Sequence, residues 1–106
     1  MKPRLPPWVG RRGLRRHLVI WAATVWGAGN ERAGLVFNIS AGGACLRLND
    51  AATTPKTMQI HIAGIGRFGA RRAWVNHGRL GVAFLEPPDI IQSILDEALV
   101  APRAPL

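Results

Sequence analysis

The sequence of 106 residues is poor in several residue types, and each shortage excludes a class of protein. Its single cysteine, Cys45, excludes an internal disulfide framework and a metal site built from several thiolates. The longest apolar stretch, residues 18–26, is about half as long as a membrane-spanning helix requires. The first seventeen residues hold six basic side chains and no apolar run, which does not fit a secretory signal. We therefore expect one small cytoplasmic domain without membrane insertion.

Positive charge is concentrated near the N-terminus. The chain has 14 Lys and Arg residues against 6 Asp and Glu residues, for a formal net charge of +8. Residues 1–16 hold six of the basic residues and no acidic one, and Pro3, Pro6 and Pro7 make most of this segment non-helical. A solvated tail would also account for such charge. Four arginines within residues 11–16 instead favour two-pronged contacts to phosphate or to a guanine edge.

Alternating apolar and polar residues, interrupted by turns about every ten residues, predict six β-strands. The first strand, at residues 18–26, is apolar on both faces and is predicted to be buried, with Trp21 and Trp26 in the core. In the second strand, the face predicted to point inward consists of Ala33, Leu35, Phe37 and Ile39. Four further strands are predicted at residues 44–48, 57–62, 67–75 and 80–84, the last two joined by a hairpin turn at residues 76–79.

The hydrophobic period changes only at the end of the chain. Beyond two prolines, Asp89 is a suitable N-cap residue, and one helical stripe follows at Ile91, Ile94, Leu95 and Ala98. Six short strands followed by one helix predict an all-β fold, a six-stranded antiparallel β-barrel with a C-terminal α-helix packed on it or over one end. The predicted parts are a flexible basic arm at residues 1–16, the barrel and helix at residues 17–100, and a tail at residues 101–106.

Residues suited to catalysis are few and scattered. Three histidines, His17, His61 and His77, lie far apart and show no metal-ligand spacing with Cys45. Residues 64–69 match the dinucleotide motif G-x-G-x-x-G, but a predicted strand follows the glycines where a pyrophosphate site needs a helix. We predict that the protein is not an enzyme and holds no metal or cofactor.

Two short motifs are not explained by packing, and the first is the arginine segment at residues 11–16. It contains the pattern R-x-x-x-R in two registers, Arg11 with Arg15 and Arg12 with Arg16. Both registers lie immediately before the first predicted strand, so either pair could reach a ligand on the barrel. The sequence leaves this choice open.

The second motif, N-I-S-A-G-G, lies between the second and third predicted strands. It supplies Asn38, Ser40 and Gly43 in the pattern N-x-S-x-x-G. A hairpin turn would use the same residue types, so the motif alone does not identify a site. Its glycines would let a ligand approach the backbone without a Cβ atom in the way.

Together the two motifs resemble those of the PilZ domain, the bacterial receptor module for cyclic di-GMP. The signatures of that family are R-x-x-x-R in an N-terminal arm and [D/N]-x-S-x-x-G on the barrel. The likeness extends over roughly residues 10–100 and includes Trp74, the predicted turn at residues 76–79 and the terminal helix. The resemblance implies a receptor in which the arm closes over cyclic di-GMP and a partner protein, unidentified here, reads the new surface.

The resemblance also implies roles for individual residues. The operative arginine pair would contact the phosphates and guanines, Asn38 and Ser40 would bond a guanine edge or phosphate, and Gly43 would leave room. Trp74 either lies against a base or belongs to the core. Substitution of Arg15 or Ser40 by alanine is expected to weaken binding greatly without unfolding the barrel.

Two other functions are compatible with the sequence. A PilZ-like barrel could act only as a protein-interaction module without binding nucleotide. A small basic β-barrel could instead bind RNA or single-stranded DNA, which requires aromatic side chains exposed on a strand face. The chain has no tyrosine, and Phe37, Phe68 and Phe84 are assigned to core faces, so nucleic acid is the less favoured partner.

Overall fold

The computed structural model describes residues 15–100, without the side chain of Val100. Most of the predicted arm, including Arg11 and Arg12, and the predicted tail lie outside the described residues. The strands are β1 (His17–Gly27), β2 (Asn30–Ile39), β3 (Gly43–Leu48), β4 (Thr57–Ile62), β5 (Gly66–Asn76) and β6 (Arg79–Phe84). A short 3₁₀ turn at Ala51–Thr53 separates β3 from β4, and helix α1 (Pro88–Val100) follows β6.

All neighbouring strands are antiparallel and form a closed barrel in the order β1-β2-β3-β6-β5-β4. The predicted fold class is confirmed. The predicted hairpin between β5 and β6 is a two-residue turn in which His77 and Gly78 both have positive φ, the conformation that matches the twist of paired strands. Because β6 lies between β3 and β5, residues from four strands meet on one side of the barrel.

The core fills the barrel and continues under α1. Its fully buried members include Val25, Leu46, Ile60 and Leu80, which come from four different strands. The helix contributes Ile91 and Leu95 to the same core, as the helical stripe predicts. Within residues 15–100, no helix is long and apolar enough to cross a membrane.

The prediction that the first strand is buried on both faces is wrong, and Trp26 does not belong to the core. Leu18 is 86% exposed and Ile20 is 80% exposed, whereas Trp21 packs partly buried against the core. Trp26 lies on the outer surface, where its Nε1 donates a hydrogen bond to Glu31 Oε1 at 2.7 Å and its ring stacks on His61. A barrel strand turns only one face inward, so an apolar residue on the other face stays outside whatever its hydrophobicity.

The predicted faces of the second strand are also wrong. Val36 is fully buried, whereas Leu35 is 45% exposed. The register of β2 against β3 shifts between Val36 and Asn38, so Phe37 is the extra residue of a β-bulge. The bulge restores Ile39 to the core and leaves Phe37 half-buried outside, beneath the Arg79 guanidinium at 5.4 Å. Phe68 and Phe84 lie in the core as predicted.

Candidate functional site

A groove of about 820 Å³ crosses the outer face of the barrel over β2, β3, β6 and β5. We call it the cross-strand groove. One wall carries Arg16, Asn38 and Ser40, and the opposite wall carries Arg71, Ala73 and Trp74. Residues of β3 and β6 line the groove between these walls, and so does the segment that links β6 to α1. The other lining residues are Ala41, Gly42, Gly43, Ala44, Cys45, Gly81, Val82, Ala83, Phe84, Leu85, Glu86, Pro87 and Pro88.

Strand register explains why the two walls face each other. Asn38 lies opposite Cys45, Cys45 opposite Gly81, and Gly81 opposite Trp74. This row crosses four adjacent strands, a distance of about 14 Å at the usual strand spacing. A thiol and a glycine stand in the middle of the row and larger side chains at its ends, so the surface is concave there.

The structure brings one arginine of the R-x-x-x-R motif to this groove. Arg16 Nη1 donates a hydrogen bond to Asn38 Oδ1 at 2.6 Å. The contact follows from the pairing of β1 with β2, which places Leu18 opposite Asn38. Arg16 is two positions before Leu18 and therefore lies within reach of Asn38. Arg15 is exposed and does not line the groove. The register of Arg12 with Arg16 therefore has its second arginine at the groove wall, whereas the register of Arg11 with Arg15 does not.

Ser40 holds the turn between β2 and β3. Its backbone N–H donates to the Gly43 carbonyl at 2.8 Å, and its hydroxyl accepts a hydrogen bond from the Gly42 N–H at 3.2 Å. The side chain lines the groove but is only 5% exposed. Ser40 therefore stabilises the turn that follows Asn38 at the groove wall. A direct hydrogen bond from its hydroxyl to a ligand stays a prediction.

Gly43 is required for packing between two strands. A Cβ atom at this position would overlap the carbonyl oxygen of Val82 on β6, which is backbone and cannot rotate away. The glycine therefore allows β3 and β6 to pair closely beneath the groove. Its expected role in leaving room for a ligand remains a prediction, because this packing already accounts for the residue.

Trp74 stands at the groove wall and not in the core. Its side chain is 47% exposed, and its indole covers the position that a Cβ atom of Gly81 would occupy. The register of β5 against β6 shifts between Arg72 and Trp74, which makes Ala73 the extra residue of a bulge. The sequence left open whether Trp74 belongs to the core or faces a ligand, and in the structure its side chain faces the groove.

Sequence reasoning missed two charged residues of the groove. Arg71 is exposed on β5, opposite Ala83 of β6, and adds a second described arginine across from Arg16. Glu86 follows β6, and its Oε2 accepts a hydrogen bond from the Gly69 N–H at 2.8 Å, while its Oε1 is buried with no partner among the described residues. The strand pattern contained Arg71, but only the strand order brings it to this groove.

Cys45 forms part of the groove floor. Burial raises the pKa of its thiol, and the positive charges of Arg16 and Arg79 act in the opposite direction. The thiol is therefore protonated at neutral pH and behaves as a small apolar group. Within the described part of the chain, no three His, Cys, Asp or Glu side chains are grouped as a metal ion would require.

Comparisons with known proteins identify similar folds. No protein-family model and no curated protein matches the sequence. The structure is similar to the PilZ domain of CeSA from a cellulose-synthesizing bacterium, with a TM-score of 0.60 and 16% identity over 79% of this chain and 93% of that chain.

Two longer proteins contain a similar region. The PlzA protein of Borreliella burgdorferi, solved in complex with c-di-GMP, has a TM-score of 0.61 and 18% identity over 82% of this chain. The Bacillus subtilis inhibitor of motility (MotI/DgrA) has a TM-score of 0.61 and 17% identity over 86% of this chain. The matched regions span 40% and 52% of those two chains. At these identities the likeness is one of fold.

Proposed function

We propose that this chain, which has the fold of a PilZ domain, is a receptor domain for cyclic di-GMP and that the nucleotide binds in the cross-strand groove. The observation that carries the proposal is the 2.6 Å hydrogen bond between Arg16 and Asn38, in which one residue of each motif meets the other at the groove wall. The similar fold of PlzA, solved in complex with c-di-GMP, supports the choice of ligand.

The side chains of the groove suit the chemistry of cyclic di-GMP. The nucleotide offers two phosphates and two guanines, and a guanidinium group can pair with a phosphate or with guanine O6 and N7 through two parallel hydrogen bonds. Arg16 and Arg71 present such groups from opposite walls. The exposed ring of Trp74 provides a surface on which a base can stack. Because Asn38 Oδ1 accepts from Arg16, its amide NH₂ remains to donate to a ligand acceptor.

We propose Arg12 and Arg16 as the operative arginine pair. Arg16 lines the groove, Arg15 does not, and Arg12 stands four positions before Arg16 in the motif. Arg16 therefore replaces Arg15 as the arginine whose loss we expect to weaken binding most. Because Arg12 lies outside the described residues, the matched pair of substitutions Arg12→Ala and Arg11→Ala tests the register directly.

We further propose that residues 1–16 act as an arm that closes over the nucleotide bound to the barrel of residues 17–100. Arginines close together in sequence repel one another, and the phosphates would neutralise that repulsion on binding. Only contacts that exist in the bound state can shift the arm toward the barrel. The domain would then signal to a partner protein by its changed surface, without catalysing a reaction.

Isothermal titration calorimetry of the full chain with cyclic di-GMP tests the proposal. We expect Arg16→Ala to weaken binding about tenfold or more, since a hydrogen bond to a charged group contributes roughly 1.5–3 kcal/mol. Arg67→Ala is the matched control, because Arg67 is an exposed arginine that packs over Trp26 away from the groove. Cyclic di-AMP, which lacks the guanine O6, should bind more weakly.

Three results would contradict the proposal in different ways. Absence of binding by the wild-type chain would favour the protein-interaction module. Binding that falls equally in Arg16→Ala and Arg67→Ala would place the site elsewhere. Binding of single-stranded RNA with a steep salt dependence and no preference for the cyclic dinucleotide would favour a nucleic-acid-binding barrel.

A further inference from the structure

Four apolar side chains form an exposed surface on the outer face of β1 and β2. We call this surface, made by Leu18, Ile20, Leu35 and Phe37, the apolar patch. Leu18 and Ile20 are the most exposed large hydrophobic residues among those described, and Leu35 is exposed on the neighbouring strand, opposite Ala22. Phe37 is held there by its bulge. Large apolar groups clustered on a surface mark a site where another molecule docks.

Positive charge borders the apolar patch on one side. Arg47 of β3 lies opposite Leu35, and Arg79 of β6 lies opposite Arg47. The Arg79 guanidinium reaches back over the Phe37 ring at 5.4 Å. The only acidic residue on β1, β2, β3 and β6 is Glu31, at the start of β2, and its carboxylate accepts a hydrogen bond from Trp26. The two arginines are therefore not neutralised by an acidic side chain of their own four strands.

A shallow depression of about 520 Å³ continues the apolar patch toward the β5–β6 turn. Leu35 and Arg47 line it together with His77 and Gly78 of that turn. The depression thus joins the apolar patch at Leu35 and its arginine border at Arg47. It is distinct from the cross-strand groove, because none of the residues lining the depression lines the groove.

We propose that the apolar patch and its arginine border bind an amphipathic α-helix of a partner protein, with leucine-like residues on one face and acidic residues along its flank. The width of the surface supports a helix. From β1 to β3 is about 10 Å at the usual strand spacing, which is close to the diameter of a helix with its side chains. A helix lying over β1 and β2 would then present its flank to Arg47 and Arg79.

The charge distribution favours this occupant over a second copy of the chain. A symmetric pair of copies would bury two arginine borders, and the only acidic side chain on these four strands is Glu31, which is hydrogen-bonded to Trp26, so the second copy offers little charge complementarity. An acidic helix supplies the opposite charge and covers the leucine and isoleucine side chains at the same time. The surface lies outside the proposed nucleotide site, so this inference goes beyond the proposed receptor function and is tested separately from it.

The test uses the full chain without nucleotide and a fluorescein-labelled helical peptide of about 18 residues, five turns of helix, with leucines on one face and glutamates on the flank. A peptide with lysines in place of the glutamates is the charge control. Fluorescence anisotropy should show binding of the glutamate peptide and weaker binding of the lysine peptide. The double variant Leu18→Ser/Ile20→Ser should weaken binding about tenfold or more, because each buried apolar side chain contributes to affinity.

Matched variants separate a specific surface from general stickiness. Ile90→Ser removes another half-exposed apolar side chain, on α1, and should leave binding unchanged. Arg47→Glu/Arg79→Glu should reverse the preference, so that the lysine peptide binds better than the glutamate peptide. Circular dichroism of each variant checks that the barrel is folded.

Several outcomes would overturn the inference. These are failure of the wild-type chain to bind the glutamate peptide, equal binding of both peptides, and binding that Leu18→Ser/Ile20→Ser does not reduce. Concentration-dependent dimers in sedimentation that this variant abolishes would assign the surface to a second copy. Binding to vesicles of anionic lipid that the same variant abolishes, without peptide binding, would assign it to a membrane. Leu35→Ser, at a patch residue that lies opposite Ala22 and Arg47 and outside the groove, should weaken peptide binding and leave the affinity for cyclic di-GMP unchanged, which keeps the two proposals separable.

Discussion

Replacing Gly81 or Gly43 by alanine tests how the cross-strand groove is built, because the two substitutions meet different kinds of obstacle. A Cβ atom at Gly81 would overlap the indole of Trp74, a side chain that can rotate toward solvent. A Cβ atom at Gly43 would overlap the backbone carbonyl of Val82, which can move only with β6. The first change should therefore rearrange the groove, and the second should strain the barrel.

The magnitudes follow from the surfaces involved. Trp74 is about half buried, so displacing its ring uncovers on the order of 100 Å², or about 2.5 kcal/mol at the usual value for apolar surface. Alanine loses less backbone entropy than glycine on folding into a strand, which offsets this loss of stability by roughly 0.5–1 kcal/mol. We expect Gly81→Ala to lower the free energy of unfolding by about 2 kcal/mol and Tm by roughly 10 °C. Gly43→Ala should lower the free energy of unfolding by about 3 kcal/mol or more, since overpacking against backbone has no cheap relief.

Urea unfolding followed by tryptophan fluorescence measures both changes, and near-ultraviolet circular dichroism reports the Trp74 environment. Gly81→Ala should also weaken binding of cyclic di-GMP about tenfold, because stacking of one base on an aromatic ring contributes roughly 1–3 kcal/mol. Trp74→Ala should have a similar effect on binding, and the double variant should lose little more. A Gly81→Ala protein with unchanged stability, spectrum and affinity would refute the placement of Trp74 over Gly81.

Three other predictions concern single groups of the groove. Because burial raises the pKa of the Cys45 thiol, we expect iodoacetamide to alkylate it only at higher pH than in the unfolded chain. The free energy of unfolding should also fall as pH rises above the ordinary pKa of a thiol. Alkylation curves that coincide for the folded and unfolded chains would contradict this. Asn38→Asp should raise the free energy of unfolding by at most about 1 kcal/mol, because the new carboxylate would pair with Arg16. High salt should remove this gain, which urea titrations at two salt concentrations would measure. Glu86→Ala should lower the free energy of unfolding by about 1–2 kcal/mol and speed hydrogen exchange at the Gly69 amide, and an unchanged exchange rate would refute the contact.

The parts of the fold that sequence reasoning predicted correctly depend on local signals. The hairpin at residues 76–79 follows from turn chemistry, and the alternation of Met58, Ile60 and Ile62 on β4 follows from a period of two. The buried stripe at Ile91 and Leu95 follows from the helical period. Each of these depends on neighbours within a few residues, so no knowledge of strand order was needed.

The parts that were missed depend on relations between strands. Nothing local to β2 distinguishes a regular strand from one with a bulge at Phe37, and one extra residue exchanges the two faces. The exposure of Leu18 and Ile20 likewise depends on what covers that part of β1.

The candidate site was predicted in the same uneven way. The motif that contains Asn38 could be found from its spacing, and the structure brings Arg16 to it. Arg71 could not be found, because its position in the groove depends on β6 lying between β3 and β5. Sequence patterns therefore indicated all three residues of one wall, Arg16, Asn38 and Ser40. On the opposite wall they indicated only Trp74.

A nuclear magnetic resonance titration of the labelled full chain with cyclic di-GMP tests the central claim most directly, because it locates the ligand without any substitution. We expect the largest shift changes at the Asn38 side-chain amide, the Ser40 and Gly42 backbone amides and the Trp74 indole N–H, with little change at Ile90. Shift changes confined to other surfaces, or no changes at saturating nucleotide, would contradict the assignment of the cross-strand groove as the nucleotide site.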